Sequence, residues 1–142
     1  MTGIALSLLL LLLGAPGISN ADEVTVVFAT LENPDHAGVA CRSDFREIPG
    51  NAQSYCDGYE DGTVIVDAAK LWRWSEGRPA TYRFMLLEVL AHEAKHIELG
   101  PDPSAADPFM EAECYEAGRE YATEDWNQRT SAVRAALRGV AQ

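Results

Sequence analysis

The chain is short of positive charge. Its 142 residues hold 11 Lys and Arg against 22 Asp and Glu, a formal net charge of −11. A surface that acidic argues against nucleic acid or an anionic membrane as partner. Long apolar runs are missing as well. Residues 4–13 are almost wholly apolar and uncharged, but they fall well short of the roughly 20 residues a spanning helix needs. A run of that size suits the core of a signal peptide. Met1-Thr2-Gly3 carries no lysine or arginine, so only the terminal amine supplies positive charge, and no cysteine follows the run to take a lipid anchor. Ser19-Asn20-Ala21 offers small residues at the two positions a signal peptidase reads. Cleavage after Ala21 is expected, which gives a signal peptide over 1–21 and a single domain over 22–142. The expectation is a secreted or periplasmic protein with no stable membrane insertion after cleavage. Internal repeats are absent, and so is low-complexity sequence beyond the leader.

Cysteine is scarce too. Cys41, Cys56 and Cys114 allow only one bridge within a chain. Export permits disulfides, and Cys41 and Cys56 flank one loop-like segment, so they are the expected pair and Cys114 stays free. A loop of that length contributes on the order of 3 kcal/mol in the chain-entropy model. About 120 residues after the leader build one modest core, which is marginal without such a staple.

The chain holds only three histidines, and two of them fall in one motif, Ala91-His92-Glu93-Ala94-Lys95-His96. This reads H-E-x-x-H within an apolar stretch that should be helical. At about 100° per residue, His92 and His96 lie on one face a turn apart. Two imidazoles so placed begin a tetrahedral site that suits Zn²⁺. Glu93 falls beside them, placed to take a proton from a metal-bound water. Leu99, Met85, Val89, Leu86, Ile97 and Leu90 form a broad apolar arc around the same helix, and His92, His96 and Glu93 all lie inside it. Burying an unpaired carboxylate is costly. A core helix has no reason to carry Glu93 there, whereas a zinc hydrolase does.

The other segments read as α+β: a small, partly antiparallel sheet packed on helices. Residues 24–30 are rich in β-branched and aromatic side chains and form the first expected strand. Turn chemistry then dominates residues 32–61, with short strands expected near Val39 and Tyr55. Thr63-Val64-Ile65-Val66 is a continuous apolar strand, and Asp67 caps a helix to about Trp74. In that helix Leu71, Trp72 and Trp74 are expected to supply core or groove wall. The motif helix runs over 81–99 and stops at Gly100-Pro101. Asp107 and Pro108 open the next helix, over 109–123, and a last helix covers 124–139.

A catalytic zinc needs a third protein ligand and an open position. The helix after Pro108 offers Glu111, Glu113 and Glu116. Ala117, Met110, Tyr121, Cys114, Gly118 and Ala122 make one arc of its wheel, and Glu111 falls inside it beside Gly118. Glu113 lies just outside the other border, and Glu116 faces solvent. The small residues Cys114, Gly118 and Ala122 let this helix lie close against the histidine helix, so Glu111 is the expected ligand.

These residues resemble the gluzincins, zincin metallopeptidases that join H-E-x-x-H to a downstream glutamate. Some members carry that glutamate in an E-x-x-A-D segment, which matches Glu111-Ala112-Glu113-Cys114-Tyr115, with Cys114 in place of alanine and Tyr115 in place of aspartate. The resemblance spans roughly 59–121. It implies a zincin-like fold with the motif on a central helix, and zinc held by His92, His96 and Glu111. It also implies hydrolysis of a peptide or protein substrate with Glu93 as general base. Tyr115, Tyr121 and His36 are candidate oxyanion donors, and His36 is also an alternative third ligand. The metzincin extension wants glycine at 99 and a ligand at 102; the chain has Leu99 and Asp102, which leaves Asp102 as an alternative ligand. The rival from another class is a zinc-binding or structural protein without turnover.

Overall fold

The computed structural model describes residues 4–7, 24–42, 55–100 and 108–140. The order of elements is β1 (Ile4–Ser7), β2 (Thr25–Phe28), β3 (Gly38–Cys41), β4 (Thr63–Val66), α1 (Ala68–Trp74), α2 (Pro79–Leu99) and α3 (Pro108–Val140). The fold is α+β, as expected. Its sheet is mixed, in the order β1-β2-β4-β3: β2 and β4 are parallel, and the other two pairs are antiparallel. Ile4–Ser7, inside the apolar run assigned to the leader, lies against the outer side of β2. The cleavage site at 19–21 and Asp102 fall outside the described residues.

β4 is the middle of the core because all four of its residues are apolar or β-branched, and all are buried. A strand covered on both faces reads in this way. Val64 and Val66 point to the helices, where Val26, Leu71 and Leu90 close around them with Tyr82, Met85, Leu86, Val89 and Ile97 of α2. Ile65 points to the opposite face, where it meets Leu31, Val39 and Cys41, with Tyr55 and Cys56 against them. The Cys41–Cys56 disulfide closes that second face, and Cys114 is free and buried, both as expected. Tyr55 and Cys56 form a helical turn rather than a strand. The bridge, not a sheet ladder, holds this stretch to β3.

Asp67 caps α1 as expected, accepting from the Lys70 backbone N–H at 2.9 Å. It also accepts from the Leu31 N–H at 3.0 Å. Lys70 is buried, which its charge alone would forbid, and it is fully used. Its ammonium donates to the carbonyls of Leu31, Asn33 and His36 at 2.8, 2.6 and 2.7 Å, with Asp67 3.7 Å away. The start of α1 thus grips the loop that leads into β3. Leu71 is in the core, but Trp72 and Trp74 are exposed, so only one of those three apolar residues is a core residue. A seven-residue helix packed on one side has room for little more.

Two helices were expected after Pro108, and there is one. α3 runs unbroken for 33 residues, because no proline and only helix-compatible residues stand near 123–124, and tertiary contacts carry it through. It packs along α2 with Cys114, Ala117, Gly118 and Ala122 buried. At Gly118 the backbones nearly touch: a Cβ there would sit 2.5 Å from the Glu88 carbonyl oxygen and 3.3 Å from His92 Cβ. Further along, Arg83 grips Asp125 with two hydrogen bonds of 2.9 and 2.8 Å. Gly118→Ala should force the helices apart, destabilising the protein by roughly 1–3 kcal/mol in chemical denaturation. An unchanged midpoint would show that the crossing has slack.

Candidate metal centre

The H-E-x-x-H motif lies in the last three turns of α2, where the helical period stacks His92 and His96 with ring centroids 5.0 Å apart. Glu111 sits in the first turn of α3. The close crossing at Gly118 brings it across, and its carboxylate spans both rings. His92 Nε2 is 2.9 Å from Oε1, and His96 Nε2 is 3.1 Å from Oε2. Among the described residues, these three form a group whose ligand atoms all lie within 4.8 Å of one another. Two imidazole nitrogens and one carboxylate are a donor set zinc accepts with a position left open. The Glu111 side chain is 47% exposed, so the cluster has a solvent-facing side.

Glu93 is beside the cluster and not part of it, with Oε1 4.0 Å from His92 Nε2. It is wedged under β3. A Cβ on Gly38 would lie 2.5 Å from Val89 Cγ1 and 3.0 Å from Glu93 Cγ, so only glycine lets the strand pass this close. Burial pushes the Glu93 carboxyl above its ordinary value, and Glu111's charge adds to this, while His92, His96 and His36 oppose it. A carboxylate so enclosed holds a proton more readily than one in water, as a general base working near neutrality requires.

His96 carries a further contact that the sequence reading assigned only to packing. Burial alone would push its imidazole down, but hydrogen bonds with Cys114 and Glu111, together with Glu93's charge, lift it to about 10. Cys114 lies three residues after Glu111, on the same helical face, and that spacing was the signal available in the sequence. The hydrogen bonds from His92 and His96 hold Glu111 well below the ordinary carboxylate range, against the effect of burial.

The candidate oxyanion donors separate. The Tyr115 ring meets His92 edge-on at 4.5 Å, so it borders the cluster. His36 comes from the loop held by Lys70, and its charge reaches Glu93. Tyr121 instead shares its surroundings with Arg83 and Asp125, where burial and the Asp125 charge raise its phenol. It lies about 15 Å along the helix from Glu111 and does not join the site. Glu113 and Glu116 are exposed and stand apart from the triad.

No family model, curated protein or solved structure matches the chain.

Two measurements test the cluster. In the metal-free protein, Glu111 contributes stability above about pH 4.5, and this is lost as pH falls. His96 contributes below about pH 6.5, and this is lost as pH rises toward 10. Thermal unfolding without metal should place the cluster's contribution at its largest between about pH 4.5 and 6.5, damped by the exposure of Glu111. A flat profile in the wild type relative to Glu111→Gln would count against the bridged arrangement. In zinc titrations, Glu111→Ala should weaken binding by more than about 100-fold and Cys114→Ala by roughly 10- to 100-fold, while Glu113→Ala should have no effect.

Proposed function

We propose that the chain is an exported zinc-dependent metallopeptidase of the gluzincin type, with a zincin-like core. The observation that carries this reading is Glu93, an enclosed carboxylate next to a three-donor cluster that does not use it as a donor. A site built only to hold zinc closes its fourth position and has no need of such a group. The rival reading, zinc binding without turnover, leaves Glu93 without a purpose. His92, His96 and Glu111 would hold the ion. Zinc, when bound, supplies Lewis acidity that activates water and polarises a peptide carbonyl.

Every other step falls to the chain's own residues. Glu93 takes the proton of the attacking water at its carboxylate. It then passes that proton to the nitrogen of the breaking C–N bond, so the amine leaves neutral. Tyr115 borders the cluster, and Tyr115 and His36 are the candidates to donate a hydrogen bond to the carbonyl oxygen as it gains charge. β3 is the outer strand on this side of the sheet among the described residues, and its Gly38 lies against Glu93. A substrate added along that edge in extended form would pass the base. The disulfide is compatible with export. No helix among the described residues is long and apolar enough to cross a membrane.

Purified exported protein should bind one zinc per chain and cleave a peptide library. Glu93→Gln should keep the zinc and lose roughly 10²- to 10⁴-fold in rate. Equal rates in the variant and the parent would remove Glu93 from the mechanism. Bound zinc with no cleavage in either would favour the binding-protein reading.

A further inference from the structure

The second half of α3 leaves the body of the protein. Asp125 pairs with Arg83 of α2, and Trp126 meets Phe84 edge-on, centroids 6.5 Å apart. Residues 131–139 are all exposed. The helix beyond Trp126 extends for about 20 Å.

This free segment is patterned. Trp126, Val133 and Leu137 are 48%, 59% and 63% exposed. At about 100° per residue they form one narrow stripe. Thr130 lies in the same stripe with its hydroxyl turned inward, donating to the Trp126 carbonyl at 2.9 Å. Arg129 borders the stripe on one side, where its Nε lies 3.6 Å from Asp125; Arg134 and Arg138 border it on the other. The stripe lies about 100° round the helix from the face that packs on α2, so Trp126 touches the body at Phe84 while Val133 and Leu137 stay open.

Charge follows the same division. Residues 126–142 contain three arginines and no acid, so they carry +3 and the first 125 residues −14, giving the net −11. The whole-chain charge conceals a cationic end. Residues 126–142 hold no acid, so laying this segment of two copies side by side would set arginine against arginine. An apolar stripe on an exposed helix, with Arg134 and Arg138 along its outer border, matches a flat anionic surface: Val133 and Leu137 enter the acyl boundary and the two guanidinium groups reach the headgroups beside them. The far end of the tail lies more than two Debye lengths, of about 8 Å each, from the acidic body, which screens the body's repulsion.

We propose that the C-terminal half of α3 is an interfacial helix that docks the protein on an anionic lipid surface. This does not depend on the peptidase reading, and its test does not read hydrolysis. The purified exported protein is sedimented with phosphatidylcholine vesicles and with vesicles containing phosphatidylglycerol. Binding to the anionic vesicles should be at least tenfold tighter and should weaken steadily as salt is raised. Arg134→Glu with Arg138→Glu should lose that difference while circular dichroism shows the helix retained. Leu137→Asp should weaken binding to the same vesicles. Equal binding of the double variant and the parent, or no preference for anionic lipid, overturns the proposal. So does concentration-dependent dimerisation that Leu137→Asp abolishes without any vesicle binding, which would assign the stripe to a second copy of the chain.

Discussion

The site depends on two backbones meeting at Gly118. That contact falls on Glu88, one turn before His92, and it fixes the distance at which everything on α3 faces everything on α2. Glu111 lies two turns before Gly118 and so arrives over the histidines. Asp125 lies two turns after it and arrives over Arg83. The crossing is thus tied at both ends by carboxylates, one to a guanidinium and one to two imidazoles. The reach of Glu111 is a property of the crossing more than of its own side chain. The hydrogen bonds that hold the cluster in the absence of metal also keep the donors converged, so a metal would find them already ordered.

The sheet plays a second, separate part. It builds the wall over Glu93, and it does so through a buried positive charge. Lys70 hands three protons to three carbonyls of a single loop, and the next residues are Ala37 and Gly38. The Ala37 carbonyl in turn accepts from the Asp67 N–H. A charge buried with this many partners specifies one position of the loop, since any shift would leave donors unmet in a medium that cannot replace them.

Much of this was legible in the residues. The period of α2 placed His92, Glu93 and His96, and the wheel of α3 selected Glu111 over Glu113, because a helical face is a local property that tertiary packing seldom rotates. Asp67 and Gly100 marked their helix ends for the same reason, and the single loop-like segment between Cys41 and Cys56 marked them as the bridged pair. What was hidden depends on partners far apart in sequence. Nothing local marks Lys70 as buried, Gly38 as the strand position beside Glu93, or Asp125 as the mate of Arg83. The break expected near 123–124 had no breaker residue behind it, and the continuous helix shows how little a polar stretch means without proline or glycine. Trp72 and Trp74 were assigned by hydrophobicity alone, which says nothing of how many sides of a short helix are covered.

The bridge at Cys41 has a practical side. It anchors the strand that begins at Gly38, and that strand is the roof over Glu93. The only free thiol, Cys114, is already sealed in the helix interface beside His96. A reductant added during purification to guard a lone cysteine would therefore find little to protect. It would act on the other sulfurs, loosening the roof, and a thiol reagent would compete for any metal the histidines hold. Handling the protein without reductant keeps the strand, Glu93 and the histidine–carboxylate cluster as one unit.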